Sequence, residues 1–188
     1  CSTSAGSTVD VSGYVLAVID EMKRLFTVDA DRVYLVGHSN GGFMSYRAAH
    51  EHPNVIAAIV SLAGAAASEE RGAPAAPVHV LQIHGTADET ILFDGGDIGD
   101  VAYPGARESV ERWARYNGCD REPSTRENAL DLDGSVEGPE TGVVRYASGC
   151  LDGGSAELWT IEGGGHTPRL SPAFTRHVVE WLLAHPRG

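Results

Sequence analysis

Arg32-Val33-Tyr34-Leu35-Val36-Gly37-His38-Ser39-Asn40-Gly41-Gly42 runs a short apolar stretch straight into the pattern G-x-S-x-G. The apolar part is β-branched, bounded by turn residues at 27–31, and reads as a buried strand of a parallel sheet. A helix is expected behind it, from about Gly41 to His50, ending ahead of Pro53. Strand, sharp turn and helix form the setting in which this pattern presents a serine as a nucleophile. Ser39 would sit at the turn, above the C-terminal edge of the sheet. Side chains at Gly37 and Gly41 are expected to clash where strand and helix close on each other. The Asn40 N–H, at the helix start, can point at a developing oxyanion.

A serine hydroxyl needs a base, and the base needs a carboxylate to orient it. On such a sheet the order along the chain is Ser, then Asp or Glu, then His. The run Val78–His84 reads as a strand and is followed by Gly85-Thr86-Ala87-Asp88. The run Glu157–Ile161 reads as another and is followed by Gly163-Gly164-Gly165-His166. Loops after parallel strands emerge at one edge, so Asp88 and His166 are the expected acid and base. Glu89, Asp94 and Asp97 compete with Asp88 but lie further from the strand end. His38 is expected to shape the wall of a substrate pocket, and His84 to help build the Asp88 loop. His50, His52, His79, His177 and His185 read as surface or packing residues. Asp94-Gly95-Gly96-Asp97 with Asp100 misses the EF-hand calcium spacing and reads as a polar loop.

The remaining pattern alternates helices and strands. Val11, Val15, Val18, Ile19, Met22, Leu25 and Phe26 recur at helical spacing behind an N-cap at Asp10. Val55 to Leu62 reads as a buried strand. Pro104 is expected to open a helix that ends at Gly118, and Val143–Tyr146 a strand. Ser171-Pro172 is expected to start a last helix burying Phe174, Val178, Trp181 and Leu182. Trp113 and Trp159 read as core. The segments 63–77 and 119–142 read as loops. This order implies one α/β domain over residues 1–188 with a mainly parallel sheet flanked by helices.

The chain has 188 residues, 42% hydrophobic and 21% charged, enough to bury a core. Its net charge of −12 repels phosphate backbones and anionic membrane surfaces, so neither nucleic acid nor membrane is an expected partner. No apolar run reaches the roughly 18 residues of a membrane span. Three cysteines, Cys1, Cys119 and Cys150, form no zinc pattern, and no metal or other cofactor is expected. Cys119 and Cys150 either pair across a turn-rich stretch, which implies an oxidising compartment, or remain two buried thiols. Cys1 is either free or paired outside this chain.

Three segments together resemble the polyhydroxybutyrate depolymerase and feruloyl esterase family. They are Val33 to Arg47, His84 to Asp88, and Leu158-Trp159-Thr160-Ile161-Glu162-Gly163-Gly164-Gly165-His166. The resemblance extends from about residue 10 to 183. It implies an α/β-hydrolase fold, secretion, a Ser39–His166–Asp88 triad, and a cystine joining Cys119 to Cys150. The substrate would be a feruloyl or acetyl ester of plant polysaccharide, or a short polyhydroxyalkanoate ester. The family's aromatic residue after the base is absent, because the sequence here reads His166-Thr167-Pro168. Members also carry roughly another third of a domain ahead of the first helix. This chain would then be the C-terminal two thirds of a full domain, lacking the N-terminal strands and the second oxyanion donor. Losing one such donor costs about 10²–10³ in rate. The exposed edge at Arg32–Gly37 would be covered by a missing segment or by a second copy in a homodimer. A peptidase or thioesterase could use the same three groups, and the rival from another class is a non-catalytic hydrolase-fold binding module.

Overall fold

The computed structural model describes residues 10–69 and 71–188. The expectations for the first nine residues, Cys1 included, lie outside the described residues. Helix α1 spans Val11–Leu25, and the Asp10 carboxylate caps it by accepting from the Gly13 N–H at 2.8 Å. There follow β1 (Tyr34–His38), α2 (Asn40–Glu51), β2 (Ala58–Leu62) and β3 (His79–Gly85). Next come β4 (Gly95–Ile98), β5 (Val101–Pro104), α3 (Ala106–Tyr116) and β6 (Thr125–Leu130). The chain closes with β7 (Thr141–Tyr146), β8 (Ala156–Ile161) and α4 (Phe174–Leu183).

Six strands form the main sheet in the order β1-β2-β3-β8-β7-β6. The first four are parallel, and β7 and β6 are antiparallel additions at the far end. The period-2 alternation of a strand sends neighbouring residues to opposite faces, and β2 shows the result. Ile59 joins a core with Tyr46, Ala49, Val110 and Trp113 under α2 and α3. Ala58 and Val60 join one with Phe174, Val178, Trp181 and Leu182 under α4. Helices therefore cover both faces, as a parallel sheet requires.

Four local expectations are corrected. Pro104 does not open a helix; it ends β5, and the helix begins at Ala106 behind Gly105. The segment around 89–103 is not plain loop, because β4 and β5 pair there as an antiparallel hairpin. The segment 119–142 is likewise not all loop, since it holds β6. Ser171-Pro172 forms a turn ahead of α4, whose N-cap is Ala173. The Ser171 hydroxyl accepts from the Ala173 N–H and donates to the Asp131 carbonyl, which holds the turn but leaves the helix uncapped by a side chain.

The apolar stripe of α1 is real but only partly buried. Val18, Met22, Leu25 and Phe26 are exposed, Phe26 by 60%. Among the described residues β1 pairs only with β2, and Val36 on this strand is exposed. Cys119 and Cys150 are joined by a disulfide.

Candidate active site

β1, β3 and β8 run parallel, so their C-terminal ends lie on one edge of the sheet. Ser39 follows β1 directly. Its backbone has φ 54° and ψ −117°, a left-handed conformation that costs a non-glycine residue roughly 1–3 kcal/mol. The surroundings hold it there, with the Ser39 N–H donating to the Leu62 carbonyl and its own carbonyl accepting from Gly42 and Phe43. Ser39 occupies the N-cap position of α2, yet its hydroxyl caps nothing. That leaves Oγ free to face the histidine.

The glycines around this turn divide differently from the expectation. A Cβ on Gly37 would lie 2.1 Å from the Gly41 carbonyl oxygen, an impossible contact. A Cβ on Gly41 would meet nothing within 4 Å. The second required glycine is Gly42, where a Cβ would approach Ser61 Oγ to 2.5 Å and Gly64 Cα to 3.1 Å. The helix rotates Gly41 outward, while Gly42 faces the end of β2.

Asp88 and His166 ride on two loops that are bonded to each other. The Thr86 N–H donates to the Ile161 carbonyl and the Ala87 N–H to the Gly164 carbonyl. A Cβ on Gly85 would strike that Gly164 carbonyl at 2.1 Å, so only glycine allows this approach. The His166 Nδ1–H donates to Asp88 Oδ2 at 2.8 Å, and the Ser39 hydroxyl donates to His166 Nε2 at 3.0 Å. The three expected side chains are thus joined in one chain of hydrogen bonds. Glu89, Asp94 and Asp97 take no part in it.

Asp88 is buried, 4% exposed. Burial pushes its carboxyl up, but the bonds from His166, Ile91 N–H and Thr90 N–H together outweigh that and hold it below the usual carboxylate range. His84, 1% exposed, supports it from the strand. Its Nδ1 accepts from the Gln82 amide at 3.1 Å, which fixes the proton on Nε2. That Nε2–H donates to the Ile91 carbonyl at 2.8 Å and lies 3.3 Å from Asp88 Oδ2. Burial keeps this imidazole below its ordinary range, hence neutral. Gln82 went unread in the sequence, although an amide inside the apolar run 78–83 was a signal of a buried bond.

His38 is placed beside His166. Its Nε2–H donates to the His166 carbonyl at 2.8 Å, and the rings lie 4.9 Å apart. Asn40 and Gly41 are the first two residues of α2, whose N–H groups have no acceptor within the helix. They are available beside Ser39, and the positive end of the helix dipole adds to them.

The sequence pattern of the prolyl oligopeptidase family matches residues 13–72. A putative esterase, NocK, of Nocardia uniformis subsp. tsuyamanensis is 32% identical over 82% of this chain and 47% of its own length. Feruloyl esterase B of Piromyces equi is 32% identical over 79% of this chain and 27% of its own. The chain is thus similar to named esterases over about four fifths of its length. Among solved structures, acetyl xylan esterase from Aspergillus awamori superposes with a TM-score of 0.65 at 16% identity. That match covers 91% of this chain and 66% of the other, and it shows the fold. This α/β-hydrolase chain spans less than half the length of the curated relatives it matches.

Proposed function

We propose that the protein hydrolyses carboxylic esters through an acyl-enzyme, with Ser39 as nucleophile, His166 as base and Asp88 as the orienting acid. The observation that carries this reading is the continuous Ser39–His166–Asp88 hydrogen-bond chain at the edge where β1, β3 and β8 end. Ser39 Oγ attacks the ester carbonyl while His166 Nε2 takes its proton. The Asn40 N–H stabilises the oxyanion. Asp88, held ionised, stabilises the imidazolium. The tetrahedral intermediate collapses, and His166 returns the proton to the departing alkoxide. Water, activated by the same imidazole, then attacks the acyl-enzyme and releases the acid with Ser39 restored. His38 keeps the His166 backbone in place and borders the substrate pocket.

Feruloyl or acetyl esters of plant polysaccharide are the proposed substrates, with short polyhydroxyalkanoate esters beside them. The relatives bearing esterase names support an ester in preference to an amide. The disulfide supports a secreted protein, and no helix among the described residues is long and apolar enough to cross a membrane. The test is hydrolysis of p-nitrophenyl acetate by purified protein, alongside peptide and thioester analogues. Ser39→Ala should lower kcat by at least about 10⁴-fold with the fold intact. An unchanged rate would sink the proposal. Stoichiometric labelling of Ser39 by a fluorophosphonate would separate an enzyme from a binding module.

A further inference from the structure

A cavity of about 140 Å³ lies between α2, α3, the loop 63–77 and the β4–β5 hairpin. Its wall includes Phe43, one turn beyond Ser39 on α2, but none of Ser39, His38, Asp88 or His166. Tyr46, Tyr103, Trp113 and Tyr116 also line it. A cavity of about this size admits a single benzene ring in other proteins. The rings here also pack on one another, with Tyr46 and Trp113 centroids 5.8 Å apart, so they form a preset aromatic box.

Two buried polar atoms on side chains of the cavity wall have no partner, and both can donate. Among the described residues, Tyr46 Oη and Arg112 Nε are buried without a hydrogen-bond partner, on side chains from residues only 2% and 4% exposed. Such orphaned groups are costly and uncommon, and an absent ligand is one reason for them. The guanidinium Nε–H can only donate, and the phenol can donate. Arg47 and Arg71 also line the cavity; Arg47 is paired with Glu51 at 2.9 Å and the Arg112 head with Glu108 at 2.7 Å, so the preference for an anion rests on the two unpartnered donors.

We infer that this cavity binds a small, single-ring aromatic carboxylate, with the ring in the Tyr46–Trp113–Tyr116 box and the carboxylate toward the Tyr46 and Arg112 donors. The site is separate from Ser39, and the inference does not rest on the esterase reading. Both donor atoms are buried, so binding requires their side chains to turn toward the anion.

Calorimetric titration with benzoate, and with benzyl alcohol as its neutral counterpart, tests it. Benzoate should bind saturably at millimolar concentration and about tenfold more tightly than the alcohol. Tyr46→Phe should weaken benzoate about tenfold, leave the alcohol little changed, and leave the melting temperature of the empty protein no lower. Ser39→Ala should bind both as the parent does. No saturable binding, equal affinity for acid and alcohol, insensitivity to Tyr46→Phe, or loss in Ser39→Ala would each overturn the proposal. Should Tyr46→Phe fail to fold, Ala102→Trp, on the exposed hairpin at the cavity wall, must abolish benzoate binding instead.

Discussion

At the scale of single residues, the turn at Ser39 depends on which glycines face inward. Gly37→Ala drives a methyl into the Gly41 carbonyl, and relief requires the strand and helix to separate. We expect it to cost several kcal/mol, in the range of the larger overpacking penalties, with loss of the Ser39–His166 contact. Gly41→Ala enters open space on a helix, where alanine is favoured over glycine by about 1 kcal/mol. It should fold at least as well as the parent. Urea unfolding of the two variants side by side reads the contrast. The motif alone does not reveal this division, because G-x-S-x-G marks Gly41 while the packing constraint falls on Gly37 and Gly42. The meeting of Ser39, Asp88 and His166 is legible because each follows a strand pattern and the strands share one direction. Of the support behind Asp88, His84 is legible as a builder of its loop, while Gln82 is not, because its bond to His84 exists only inside the folded strand.

Among elements, β8 carries an acidic residue in a fully buried strand. Glu157, 1% exposed, receives two bonds from Arg145 at 2.8 and 3.1 Å and one each from the Trp159 and Trp181 indoles. It ties β7, β8 and α4 together. Glu157→Ala takes the acceptor from two buried indole N–H groups, while the partly exposed Arg145 can turn to water, which should cost about 2–3 kcal/mol. Chemical denaturation checks this, and a cost under about 1 kcal/mol would mean that the cluster is solvated.

β3 and the residues after α4 supply a second expectation. His79 and His185 rings lie 4.7 Å apart. Burial lowers both, and the His185 charge helps take His79 to about 4. The unfolded chain binds a proton near pH 6.5 that folded His79 refuses until about pH 4, so stability is full above that window and falls as the pH drops through it. The effect is at most about 3 kcal/mol, less where water reaches the rings. Melting temperatures between pH 7.5 and 4.5 should fall in the parent and fall less in His79→Gln, a window stated from the same unperturbed and buried imidazole values. Patterning at this scale locates every helix and every strand of the parallel core. It misses β4, β5 and β6, whose glycines and charges read as turn. Their strand state comes from pairing with each other or with β7, not from local preference.

For the molecule as a whole, the two edges of the sheet have different duties. The Ser39–His166–Asp88 hydrogen-bond chain lies where the parallel strands end. The disulfide lies at the opposite edge, joining the chain after α3 to the loop ahead of β8. Beside it Asn117, fully buried, bonds Val78 and the Ser155 carbonyl. Opening a 31-residue separation should cost about 3–4 kcal/mol on the chain-entropy account. Reductant, or the Cys119→Ala/Cys150→Ala pair, should lower the urea midpoint while ester hydrolysis in dilute buffer keeps its rate. A parallel loss of rate would show that the edges are mechanically coupled.

The interior bond from Gln82 to His84 reaches further than packing. It dictates which nitrogen of a hidden imidazole presents hydrogen toward the carboxylate that steadies the base. A change at Gln82 would therefore reach the site from beneath, through the imidazole, without touching the groups at its rim.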